Sequence, residues 1–72
     1  MTLELMLCEQ TLIEHIANPR ATRDVVANVY GMAIMSSEAR TLNWRRVNEA
    51  IIARWSRSAL EYIKRRAWSA PK

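Results

Sequence analysis

Hydrophobic positions recur along this chain at the three- and four-residue spacing of α helices. In the first predicted helix, from about Thr2 to Ala17, the apolar residues cover roughly half of the circumference, which predicts contact with two other helices. They are Leu5, Met6, Cys8, Leu12, Ile13 and Ile16. This helix should end at Asn18, because a residue that precedes proline is pushed out of the α region.

A second helix is predicted to begin after Thr22, which is a good N-cap, with Asp24 favoured in the first turn by the helix dipole. Apolar residues follow at helical spacing through Val25, Val29 and Met32. Gly31 costs about 1 kcal/mol against alanine in the middle of a helix, so we expect close helix packing there. Residues 36–42 are predicted to form a loop.

Two further helices are predicted in the C-terminal half. Asn43 can cap a third helix from Trp44 to about Trp55. Ser58-Ala59-Leu60-Glu61 has the form of a capping box, which predicts a break at Ser56-Arg57 and a fourth helix towards Trp68. The buried stripe of the third helix should consist of Trp44, Val47, Ile51 and Trp55.

Some polar residues fall inside the apolar arcs of these helices. Glu9 lies within the stripe of the first helix, where a carboxylate needs an arginine or a helix N-terminus as partner. Asn48 and Arg54 lie inside the apolar arc of the third helix, and we expect a buried hydrogen bond, with Arg54 and Glu9 as the candidate pair. Arg45 and Glu49 should form an i,i+4 pair on the outside.

Composition supports a single helical domain over residues 1–72. Half of the residues are hydrophobic, and one Gly, two Pro and no Phe leave little material for a β fold. We therefore predict an all-α bundle of four helices with a helix-turn-helix-like C-terminal pair. Not counting Gly, apolar runs reach only four residues, which argues against a membrane span or a signal peptide. The single cysteine fits a reducing, cytoplasmic compartment.

Charge is distributed unevenly along the chain. Residues 1–18 contain three Glu and no Lys or Arg, a net −3, whereas residues 19–72 hold all eleven basic residues against four acidic ones, a net +7. Such polarity is typical of proteins with a polyanionic partner, although a solvated basic face is the plain alternative.

The segment from Arg46 to Arg65 resembles a helix-turn-helix DNA-binding unit. Ala50 stands where that family has a small residue, and Leu60 and Ile63 stand at the spacing of its apolar pair. Arg54 departs from the pattern, since it occupies the place where the family usually has glycine at the turn. The resemblance implies a small DNA-binding protein that regulates transcription.

The resemblance also implies roles for individual residues. In the family, the recognition helix presents its exposed residues to base edges in the major groove. Carried over by position, these are Arg57, Ser58, Glu61, Tyr62 and Arg65. The neighbouring cations are expected to contact phosphates, and they are Arg45, Arg46, Lys64 and Arg66. The alternative is that the cations of the fourth helix merely complete its last turn, where they suit the dipole.

No catalytic or metal-binding constellation is visible in the sequence. His15 is the one histidine, and with Cys8 it supplies too few ligands for a metal site. Ser56 and Ser58 lack a neighbouring base, no pair of carboxylates is placed for acid–base work, and no Gly-rich phosphate loop occurs. We predict neither an enzyme nor a bound cofactor.

Partners other than DNA also fit the sequence. A domain this small gains affinity by pairing, so a homodimer is expected, with the first helix as the pairing element. Trp68 either closes the end of the bundle or anchors a partner. The alternative function is a small regulator or inhibitor that docks its basic face on an acidic protein surface, including that of a nucleic-acid-handling assembly. RNA binding is a third option, without an aromatic platform to favour it.

Overall fold

A computed structural model describes residues 9–68 and shows an all-α architecture in that range. Four α helices are present, with a short 3₁₀ turn between the second and third. They are α1 (Glu9–Ala17), α2 (Arg23–Ile34), α3 (Trp44–Arg54) and α4 (Arg57–Trp68), and the 3₁₀ turn is Ala39–Thr41. The predicted four-helix fold is confirmed, and the part of the first helix predicted over residues 2–8 lies outside the described residues. None of the described helices is long and apolar enough to cross a membrane.

The helix ends follow the predicted local signals. α1 ends at Ala17, before Asn18-Pro19. At the start of α2, the Thr22 Oγ1 accepts a hydrogen bond from the Val25 amide at 3.2 Å. At the start of α3, the Asn43 Oδ1 accepts one from the Arg46 amide, also at 3.2 Å. Both predicted N-caps are therefore confirmed.

The predicted break between α3 and α4 is present, but a different serine caps the last helix. α3 ends at Arg54, and Trp55 leaves the helical region with φ −119° and ψ −83°. The Ser56 hydroxyl accepts a hydrogen bond from the Ala59 amide at 3.2 Å. The predicted capping box at Ser58 is wrong, because Ser56 already supplies the cap for the first turn and Ser58 lies inside the helix.

The core lies where α4 packs on α2 and α3, with α1 closing the other side of α3. Val47 and Ile51 of the predicted α3 stripe are fully buried, whereas Trp44 and Trp55 are half-buried. The largest fully buried side chains are Leu12, Ile16, Val26, Val47, Ile51 and Ile63. Within residues 9–68, no charged side chain is buried.

Close packing at Gly31 is confirmed. A Cβ built at Gly31 would lie 3.5 Å from the Ala67 carbonyl oxygen and 3.7 Å from the Ala67 Cβ. These are ordinary van der Waals distances, so alanine would also fit at this crossing of α2 and α4. Bulkier side chains would push the two helices apart.

The predicted pairing of Arg54 with Glu9 is wrong. Arg54 instead donates from Nη1 to the carbonyl oxygens of Ile16 at 2.8 Å and Ala21 at 3.2 Å, and from Nη2 to that of Pro19 at 3.3 Å. The physical reason is the end of α1, whose last carbonyls have no partner inside the helix and attract a cation. Glu9 does find an arginine partner, since its Oε2 lies 3.1 Å from the Arg46 Nη1.

Asn48 forms the other internal polar contact that the sequence indicated. Its Oδ1 accepts a hydrogen bond from the Tyr30 hydroxyl at 2.7 Å, which links α3 to α2. Burial raises the pKa of the Tyr30 hydroxyl above its ordinary value, and the hydrogen bond to Asn48 offsets part of that rise.

Candidate nucleic-acid interface on the fourth helix

The side of α4 that faces away from the core is polar and carries two arginines. Ala59, Leu60 and Ile63 bury the inner side of the helix. We call the opposite side the α4 outer face, and its residues are Arg57, Ser58, Glu61 and Arg65, all of them exposed. Its orientation follows from the apolar spacing of the sequence.

Arg57 and Arg65 have no ion pair among residues 9–68. Glu61 lies one turn from each of them and also forms no ion pair in that range. Counting every charged residue of α4, four cations stand against one carboxylate, a net +3. Within the α4 outer face itself, two arginines stand against one carboxylate, a net +1, so the face is weakly electropositive.

Tyr62 and Arg66, by contrast, are held by α2. The Tyr62 hydroxyl donates a hydrogen bond to the Asp24 Oδ1, and the same oxygen lies 3.3 Å from the Arg66 Nε. The Arg23 guanidinium lies 5.7 Å from the centre of the Tyr62 ring. The hydrogen bond to Asp24 raises the pKa of Tyr62 above its ordinary value, although nearby Arg66 and Arg23 lower it.

The two arginines near the start of α3 are exposed but have acidic partners. The Arg45 Nε lies 3.6 Å from the Glu49 Oε2, which confirms the predicted i,i+4 pair. Arg46 pairs with Glu9 of α1, as described above. Of the nine residues predicted to touch DNA, the structure brings four together on the α4 outer face. Tyr62 and Arg66 both contact Asp24, and we call these three residues the Asp24 cluster. Arg45 and Arg46 are in ion pairs, and Lys64 lies beside a groove.

That groove lies between α2, the 3₁₀ turn, α3 and the end of α4, and it has a volume of about 310 Å³. Its walls are mostly aromatic and aliphatic, and they comprise Tyr30, Ile34, Ala39, Trp44, Lys64 and Trp68. The Tyr30 and Trp44 rings lie 5.0 Å apart, and the Trp44 Nε1 donates to the Ala39 carbonyl at 2.9 Å. We call this site the aromatic groove.

Sequence reasoning missed the aromatic groove because its walls come from four elements. Helical spacing places Tyr30 and Trp44 on the apolar sides of their helices, but it does not show that the 3₁₀ turn and the end of α4 complete a groove beside them. Trp68 lies at the groove and is 69% exposed, so its side chain does not close the bundle. The tryptophan content was the one available signal.

A second, polar pocket of about 230 Å³ lies beside α1. It is lined by Thr11, Glu14, His15 and Asn18. Among residues 9–68, no three His, Cys, Asp or Glu side chains converge as metal ligands would. This pocket therefore offers no constellation that points to a particular chemistry.

The link between α3 and α4 differs from a glycine turn. Trp55 and Ser56 alone separate the helices, and no residue in the described part of the chain has a positive φ. Comparison with family models, curated proteins and solved structures gives no significant match. The exposed side chains and their geometry are thus the basis for a functional assignment.

Proposed function

We propose that this protein binds duplex DNA through the α4 outer face. The observation that carries the proposal is the pair Arg57 and Arg65, which lie at opposite ends of one exposed helical face and form no ion pair among residues 9–68. They are eight residues apart, which is about 12 Å along a helix. The major groove of B-DNA is about 12 Å wide and admits an α helix, so a helix lying in it can present both arginines to one groove.

Each residue of the face can make a different contact. Arginine binds guanine or phosphate with two hydrogen bonds, and Arg57 gains from lying in the first turn of α4, where the helix dipole favours anions. Glu61 can accept a hydrogen bond from cytosine, and its carboxylate, which lies one turn from each arginine, repels phosphates. Ser58 can bond to either partner. Glu61 is thus the residue that would favour base reading over simple charge attraction.

The paired cations can join this interface as phosphate contacts. Ion pairs between exposed side chains are worth only about 0–1 kcal/mol, so a phosphate can compete for Arg45, Arg46 or Arg66. Lys64 lies on the flank of α4. Tyr62 would have to leave Asp24 to touch a base, so we assign it a smaller part than the sequence suggested.

In this proposal α3 and α4 act as a helix-turn-helix unit, and occupation of a DNA site regulates transcription. The burial of Leu60 and Ile63 supports the proposal, because that motif packs its second helix through two such apolar residues. Ala50 packs against the core as the small residue of the first helix.

The experiment is a titration of duplex DNA with the full chain at several salt concentrations. The test variant carries Arg57→Ala and Arg65→Ala. The matched control carries Arg20→Ala and Arg40→Ala, which remove the same charge from exposed positions outside α4. We expect the test variant to bind at least about tenfold more weakly and its logarithmic salt slope to fall by about 2, because each arginine contacts the nucleic acid.

The control should lose much less affinity. Equal losses in both variants would mean that DNA attracts the protein through its total charge, without a site on α4. Unchanged binding in the test variant, or no binding by the parent chain, would remove the α4 outer face from the function.

A second candidate function rests on the aromatic groove. Trp68 is exposed beside Lys64 at the groove, which suits docking on an acidic protein surface with tryptophan as the anchor. The protein would then be a small regulator or inhibitor of a larger assembly. In that case Trp68→Ala should abolish stoichiometric binding of one purified partner, whereas Arg57→Ala with Arg65→Ala should preserve it, and duplex DNA should not compete.

A further inference from the structure

The aromatic groove has the size of a site for a small molecule. Its volume of about 310 Å³ lies at the lower end of the range for such sites and equals that of about ten water molecules. Tyr30 and Trp44 line it with rings whose centres lie 5.0 Å apart, and Trp68 lines it from the end of α4. A ligand of this size would therefore meet three aromatic side chains.

The polar groups of the two inner aromatic residues are already used within the protein. The Tyr30 hydroxyl donates to the Asn48 Oδ1, and the Trp44 Nε1 donates to the Ala39 carbonyl oxygen. Neither donor is left for a ligand. The part of a ligand that packs on these rings must therefore be apolar, since a polar group placed there would lose its hydrogen bonds to water without replacement.

Lys64 is the one charged side chain among the described residues that line the groove. It is half-buried and forms no ion pair or hydrogen bond among residues 9–68. Glu38 and Arg40 flank Ala39 of the groove wall, but they are exposed and of opposite sign, so their charges cancel. A half-buried ammonium group without an acceptor favours an anionic group beside the apolar walls.

The surroundings of the groove favour a small molecule over a protein surface. A stable protein interface buries about 800 Å² on each partner. Of the large hydrophobic residues exposed among residues 9–68, Trp68 alone lines this groove, and the nearby Glu38 and Arg40 are charged. The apolar surface at this place is thus confined to the groove itself.

We propose that the aromatic groove binds a small monocarboxylate with an apolar body, of the arylalkanoate class. The carboxylate accepts hydrogen bonds from the Lys64 ammonium group, and the body packs on the aromatic walls. A single anionic group matches the single lysine. The inference does not rest on the proposed DNA binding, because no residue of the α4 outer face lines the groove. It assigns the groove an occupant different from that of the second candidate function.

The test titrates the full ¹⁵N-labelled chain with 3-phenylpropionate and follows the indole N–H signals by NMR. We expect the signals of Trp44 and Trp68 to shift along one saturating curve. Trp55 lies at the opposite end of α3 from Trp44 and does not line the groove, so its signal is the internal control and should not move. 3-Phenylpropionamide, which has the same body without the charge, should bind at least about tenfold more weakly.

Variants separate the contribution of the cation from that of the apolar wall. Lys64→Gln should weaken carboxylate binding at least about tenfold and remove the preference for the acid over the amide. Arg20→Gln removes the same charge from an exposed position before α2 and should bind like the parent. Trp68→Ala, also at an exposed position, should weaken the binding of the acid and of the amide alike, because it removes apolar contact only.

Three results would overturn the inference. The first is the absence of a saturable shift at Trp44 and Trp68, or an equal shift at Trp55. The second is a Lys64→Gln chain that still prefers the carboxylate over the amide. The third is a groove that binds neither probe but holds a purified acidic protein through Trp68, which would support the second candidate function instead.

Discussion

Arg54 and Arg57 lie three residues apart, on either side of the break between α3 and α4, and have opposite environments. Arg54 donates hydrogen bonds to three backbone carbonyls around the end of α1, and its guanidinium lies 4.4 Å from the centre of the Trp55 ring. Arg57 is exposed and has no described partner. Arg54 therefore connects α3 to the end of α1, whereas the Arg57 side chain faces solvent.

The basic surface contains fewer cations that can bind an anionic partner than the sequence suggested. A count of charges treats every lysine and arginine alike, but Arg54 is turned inward and Arg46 and Arg66 have acidic partners from other helices. The cations left for an anionic ligand are therefore fewer than the net charge indicates, and on α4 they concentrate at Arg57 and Arg65. The place of an arginine relative to helix ends decides its role more than the local charge density does.

Because Arg54 is hydrogen-bonded around the end of α1 and Arg57 is exposed, Arg54→Ala and Arg57→Ala should have very different effects on the free energy of unfolding. Loss of Arg54 removes hydrogen bonds from a charged donor and leaves carbonyls at the end of α1 unsatisfied, so we expect about 2–3 kcal/mol of destabilisation. Arg57→Ala should change the free energy of unfolding by less than about 0.5 kcal/mol, as is usual for exposed positions. Urea unfolding followed by circular dichroism measures both.

Arg54→Lys is the control that separates charge from geometry. Lysine keeps the cation near the end of α1 but lacks the planar fork that reaches three carbonyls, so it should recover less than half of the loss. Equal stabilities for Arg54→Ala and Arg57→Ala would show that the bridge between α3 and α1 contributes nothing.

The contact between Tyr30 and Asn48 should have the next largest effect. Tyr30→Phe keeps the ring in the core but leaves the Asn48 Oδ1 without its donor, so we expect a loss of about 1–2 kcal/mol. Adding Asn48→Ala to Tyr30→Phe should cost less than the sum of the single changes, because both remove one interaction. Strict additivity in urea unfolding would mean that the hydrogen bond is not formed.

Much of the fold could be predicted because its signals are local. Thr22 and Asn43 cap their helices as their side-chain chemistry requires, and Pro19 marks the end of α1. The break between α3 and α4 was also predictable, although the predicted capping box at Ser58 was wrong and Ser56 caps the last helix instead.

The partners of long side chains could not be predicted in the same way. A polar residue in an apolar arc needs a hydrogen-bond partner. For Arg54, both a carboxylate and the carbonyl oxygens at a helix end are chemically suitable partners. The choice depends on how α1 crosses α3, which no local pattern encodes. The same limit applies to Asp24, whose position in the first turn of α2 predicted a favourable interaction with the helix dipole but not its contacts with Tyr62 and Arg66.

The smallest expected effect is a shift in the pKa of Tyr62. Its measurement tests whether the Tyr62 side chain belongs to the α4 outer face or to the Asp24 cluster. Its pKa is raised mainly by the hydrogen bond to Asp24. Since the folded-state value lies above that of the unfolded chain, about 10, the contact stabilises the fold below that pH and is lost as the pH rises through the folded-state pKa. In a Tyr30→Phe background, the ultraviolet absorbance of the phenolate reports the ionisation of Tyr62 alone. We expect its pKa to lie above the ordinary value of tyrosine, and Asp24→Ala should bring the pKa back towards that value. An ordinary tyrosine pKa with Asp24 present would mean that the Tyr62 hydroxyl is not bonded to α2. Tyr62 would then again belong to the surface proposed to bind DNA.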